Sequence, residues 1–181
     1  MAVPAYLRQD NKAEFVTVAV RLASWTLKWC KDERLFTRRE RWIITGDIWT
    51  EAKRVLLCVK MANRRSVILP DDYEARTAYL KQALDALTSL KMLLTIKYEM
   101  MLQGFNAAKA ATPKETAQPP EQTPEQPETQ KKKRGGRKRL TQDDIDRIFE
   151  IFFQMAIHEQ ELIKGLLESD ATRHAHAKPP V

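Results

Sequence analysis

Apolar residues recur along this chain at three- and four-residue steps over four long stretches, the pattern of helices that bury one side and wet the other. Phe15, Val18, Leu22, Trp25 and Trp29 open the series, with Arg21, Ser24, Lys28 and Lys31 opposite them. Residues 1–12, which contain Pro4, are expected to form a lead-in rather than an element. A second predicted helix runs from Thr37 to Asn63. Thr37 and Glu40 mark its start, at the spacing where each side chain satisfies a free backbone amide of the first turn. Its buried flank is Ile44, Ile48, Trp49, Ala52, Val55, Leu56, Val59 and Ala62. Pro70 blocks continuation from the preceding segment, and Asp71 with Glu74 marks a third start. From there Leu80, Leu84, Leu87, Leu90, Leu94, Tyr98 and Met101 give a nearly continuous apolar side, with an expected stop at Gly104. Lys81, Lys91 and Lys97 lie toward its edges, where their stems cover it and their charges extend outward. Thr141 and Asp144 open the last helix, which buries Ile145, Ile148, Phe149, Phe152, Met155, Ala156, Leu162, Ile163, Leu166 and Leu167.

Between the third and last helices the character changes. Residues 107–139 hold Pro113, Pro119, Pro120, Pro124 and Pro127, many Gln and Thr, and no aromatic side chain. Such a segment buries too little apolar area to offset its ordering entropy, so a long disordered tether is expected. The fold expected is therefore all-α: an antiparallel four-helix bundle whose first three helices occupy 1–106 and whose fourth, 140–169, returns across the tether. That last helix cannot bury its Phe and Ile side alone, so it completes this bundle or docks on a neighbouring subunit. Residues 170–181, with His174 and His176, read as an unstructured tail.

Charge adds a functional dimension. The formal net charge of +7 conceals segments of opposite sign, because 140–170 is acidic while 131–139 is purely basic. In the latter, Lys131, Lys132, Lys133, Arg134, Arg137, Lys138 and Arg139 surround two glycines. Dense positive charge is rewarded on a polyanion by counterion release, irrespective of base sequence. The same run also suits a nuclear-targeting patch, or a solubilising tether that balances the acidic helix. In the second helix, Lys53, Lys60 and Arg64 form one basic stripe and Arg54 and Arg65 another, with Leu57 and Met61 between them. Together with Arg38, Arg39 and Arg41 they make a second candidate surface. Each of these charges alone is as well explained as a solvated face; their combination fits a clamp on a polyanion read by phosphate position rather than base identity.

Chemistry is poorly represented. Cys30 and Cys58 lie in apolar helical patterns and read as buried free thiols rather than a disulfide or metal ligands. His158 lacks a nucleophile or second His at useful spacing, and helix capping accounts for Asp143, Asp144 and Asp146. Tyr and Trp fall mostly at core spacing, so base stacking is not their first reading. Phosphate loops, paired-His metal motifs and nucleophile elbows are missing from the sequence. No cofactor is expected, and no catalysis. The chain shows no signal segment and no membrane-length apolar run, so a soluble, cytoplasmic protein is expected.

Phe36–Thr37–Arg38–Arg39–Glu40 entering a helix, Ala62–Asn63–Arg64 closing it, and Leu80–Lys81–Gln82–Ala83–Leu84–Asp85–Ala86–Leu87 through Leu90–Lys91–Met92–Leu93–Leu94–Thr95–Ile96–Lys97–Tyr98 resemble the accessory variability determinants (Avd) of diversity-generating retroelements. Related four-helix proteins are encoded within ribosomal RNA intervening sequences. The resemblance implies a homo-pentamer with a basic exterior that binds a reverse transcriptase and its template RNA and cDNA, supports mutagenic reverse transcription, and has no active site of its own. It would carry Arg38, Arg39, Arg64 and Arg65 onto the partner-facing surface. The Pro/Gln-rich tether and its basic cluster depart from the family pattern.

Overall fold

A computed structural model describes residues 14–110 and 140–177. Among them are five helices and no strand: α1 (Glu14–Lys31), α2 (Arg38–Ile43), α3 (Thr45–Asn63), α4 (Pro70–Ala110) and α5 (Gln142–Ala177). These residues form an all-helical bundle. The four long helices pack in a ring in which α1 lies against α3 and α5, and α4 against the same two. Each neighbour runs antiparallel. Along the α4–α5 seam the pairs Arg76 with Asp170, Lys91 with Gln160 and Tyr98 with Asp146 ascend one helix as they descend the other. Helices α3 and α5 thus occupy opposite corners.

The core follows the periodicity. Leu22, Ile48, Val55, Val59, Leu80, Leu87, Leu90, Leu94, Ile145, Phe152 and Ile163 are almost wholly withdrawn from water. Each such side chain contributes on the order of 1.5–3 kcal/mol relative to leaving it exposed. Ala52, Ala62, Ala83 and Ala86 are buried as well, and their small side chains let α3 and α4 approach closely. At one end of the bundle Trp29 packs on Phe152 and Phe149 with ring centroids 5.0 and 5.8 Å apart, and Tyr98 lies 5.2 Å from Phe149. This aromatic cluster ties α1, α4 and α5 together.

Four expectations need correction. The helix expected over Thr37–Asn63 is broken at Ile44, which ends α2 and begins α3. Thr45 turns its hydroxyl back to the Arg41 carbonyl, a bond that bends helices, and Gly46 follows with its low helical propensity. Gly104 does not stop α4, because Phe105 still packs on the core and an alanine-rich turn carries the helix to Ala110. Lys97 does not reach outward: it is buried, donates to Glu40 at 2.7 Å and lies over the Phe36 ring. Residues 170–177 of the expected tail are the last two turns of α5. They are held from a distance, by the buried Asp170 on Arg76 and by His174, whose ring stacks on Tyr73 with centroids 4.0 Å apart. The helix starts agree with the sequence at Thr37–Glu40 and Thr141–Asp144, where side chain and backbone cap each other reciprocally.

Candidate nucleic-acid and partner interface

The outward face of α3 is set by its inward one. Ile48, Ala52, Val55, Val59 and Ala62 face the core, which turns Lys53, Arg54, Leu57, Lys60 and Arg64 to water. Leu57 is 54% exposed at the centre of this face, and Met61 beside it is half-buried. The two basic stripes differ in their freedom. Arg54 leans on Glu51 at 3.9 Å, and Arg65, just past the helix end, is bound by Asp72 at 3.1 Å. Lys53, Lys60 and Arg64 form no ion pair among the described residues. From Lys53 to Arg64 the helix rises about 16 Å, enough to meet several successive phosphates.

The second basic group sits on α2. The Thr37–Glu40 cap fixes its start, and Glu40 also holds Lys97 of α4. Burial pushes the Glu40 carboxyl up, but the hydrogen bonds from Lys97 and Thr37 outweigh it and leave the group below its ordinary range. Arg41 is paired with Glu33 at 3.3 Å. Arg38 and Arg39 are exposed and unpaired among the described residues. Next to them stands Trp42, 87% exposed, which the core-spacing rule for aromatic residues missed. The signal was present: Trp42 falls on the polar side of its helix, four residues from Arg38 and three from Arg39.

Apolar side chains are also exposed on the neighbouring part of α4. Met92 and Ile96 border a shallow groove of about 320 Å³ between α3 and α4, completed by Asp47, Thr50, Glu51, Ser89 and Leu93.

The interior holds polar groups that periodicity alone did not flag. Arg76 bonds Asp170 at 2.5 Å and the Ala62 carbonyl at 2.7 Å, joining the ends of α3, α4 and α5. Glu159 is fully buried with neither carboxylate oxygen bonded. Desolvation pushes its carboxyl up to about 8. Burial likewise raises the thiol of Cys30 to about 11, against the pull of a backbone hydrogen bond, and it raises Cys58. Both cysteines are free, and both favour the unreactive thiol over the thiolate. Among the described residues no group of His, Cys, Asp or Glu is arranged to hold a metal ion. His158 is exposed and lies 3.5 Å from Glu14.

Lys131, Lys132, Lys133, Arg134, Arg137, Lys138 and Arg139 lie outside the described residues. The structure therefore brings together α3's basic face and, separately, the Arg38–Arg39 pair. Among the described residues no helix is long and apolar enough to cross a membrane. Compared with family models, curated proteins and solved structures, the chain matches none of them.

Proposed function

We propose that this protein is a non-catalytic binding module that holds nucleic acid by its phosphates. The observation that carries this reading is the outward face of α3, where Lys53, Lys60 and Arg64 are exposed around the exposed Leu57 and, among the described residues, have no acidic partners. Unpaired charges on a helix neutralise phosphates and so release the counterions condensed on the nucleic acid, without reading bases. The paired arginines Arg41, Arg54 and Arg65, with Leu57 and Met61, offer a protein partner directional hydrogen bonds and an apolar contact. The cluster at 131–139 adds a second, looser grip on the same polyanion.

Within the resemblance of its second and third predicted helices, the module serves as the accessory subunit of a diversity-generating retroelement. It would bind the reverse transcriptase and the template RNA and cDNA as a cytoplasmic homo-pentamer built from four-helix bundles. Replacing Lys53, Lys60 and Arg64 by Gln should flatten the dependence of log affinity for RNA on log salt by about 2–3. The unfolding midpoint should be little changed, since all three side chains are exposed. An unchanged salt slope would sink the α3 assignment. A mass corresponding to a monomer, or failure to associate with a retroelement reverse transcriptase, would remove the family part alone.

A further inference from the structure

Among the described residues Trp42 is the most exposed large hydrophobic side chain. Tryptophan is highly buried on average because its large ring is costly to hydrate. The other three obey this: Trp29 is buried, and Trp25 and Trp49 are partly buried against the core. Trp42 is 87% exposed and makes no ring contact among the described residues. It is not loosely held. Its helix is anchored on the opposite side by Glu40 to the buried Lys97, and it is preceded by the buried Leu35 and Phe36. At 100° per residue, Arg38, Trp42 and Arg39 fall in that order on one arc of α2, facing away from Glu40. The fold thus presents an open indole between two exposed guanidinium groups, on a short helix tied to α4 through Glu40 and Lys97.

We propose that this arc is a stacking platform for single-stranded nucleic acid: one unpaired base lies on the Trp42 indole while Arg38 and Arg39 hold the flanking phosphates. The inference deepens the nucleic-acid reading above and rests on it. Every base has a π-face, so an exposed aromatic ring grips a single strand without sequence preference. A duplex keeps those faces stacked on one another and offers the ring nothing. The two arginines supply the charge that an apolar docking site for protein would not need. The same indole beside Ile43 would also suit a protein contact, and the experiment separates the two.

The full chain is titrated with a labelled oligouridine and with a labelled RNA duplex of equal length. Trp42→Ala should weaken oligouridine binding roughly 5- to 150-fold, the range for loss of one stacked base. Trp42→Phe should restore it to within about threefold, since a ring remains. Neither variant should alter duplex binding or the unfolding midpoint. Arg38→Gln with Arg39→Gln should flatten the salt slope for oligouridine by about 1.4, two phosphate contacts on a single strand. Equal losses for Ala and Phe, equal losses on both probes, or unchanged affinity with a changed oligomeric mass would each overturn the platform; the last would make Trp42 a protein contact. If the unaltered chain binds neither probe, the proposed function falls as well. Binding that is indifferent to Trp42 overturns this inference alone.

Discussion

Glu159 occupies a position that the apolar spacing reserves for the core: Phe152, Ala156, Glu159 and Ile163 follow one another on the buried side of α5. Its place was therefore legible in the sequence, but its identity was not, because an acidic side chain in an acidic helix reads as surface. Lys97 deceived in the same way, its burial depending on a carboxylate far away in the chain. The consequence for Glu159 has a definite sign. Between the ordinary carboxylate range near ~4.3 and about 8, the folded state keeps a proton that the unfolded chain has released. Stability therefore falls as pH rises through that window. Glu159→Met, of similar volume and without the unbonded oxygens, should stabilise the bundle by about 1–3 kcal/mol at pH 8. The gain should shrink as pH falls toward 5. Urea unfolding of both proteins at several pH values checks this, and a gain that grows toward acid would refute it.

Helices were legible where a cap and an apolar side coincided, as at Thr37 and Thr141, and illegible where distant contacts decided. The last two turns of α5 are an example. They contain little apolar material, so local pattern gave them no reason to order. Arg76 supplies that reason, because its guanidinium is buried at the far end of α4 and needs Asp170. Removing one member of a buried pair leaves the other uncompensated. Truncation after Ser169 should accordingly destabilise the bundle by about 3–5 kcal/mol, measured by chemical denaturation. Arg76→Leu in the truncated chain should recover part of the loss. Equal stability of the truncated and intact chains would mean that the Ala62 carbonyl satisfies Arg76 without help. The break at Ile44 has a similar origin: the hydrophobic pattern runs through it, and what bends the helix is a hydroxyl-to-carbonyl bond that periodicity does not encode.

At the scale of the whole molecule, the ring of long helices separates charge. Helix α3 and its C-cap expose Lys53, Arg54, Lys60 and Arg64 against Asp47, while α5, at the opposite corner, exposes Asp143, Asp144, Glu150, Glu161 and Glu168 against Arg147, Lys164 and Arg173. The segment charges were readable from the sequence, but their placement on opposite corners required the packing. A polyanion should meet the α3 side first. Brief acetylation of the RNA complex, read by mass spectrometry, should find Lys53 and Lys60 protected and Lys164 as reactive as in the free protein. Uniform protection would contradict the orientation. The topology has one more effect, on how freely the chain can vary. Helix α5 is held by its own seams with α1 and α4, and the entropy of closing a connection grows only logarithmically, by about 0.6 kcal/mol for each doubling of its length. Residues added between α4 and α5 should therefore cost the bundle little stability.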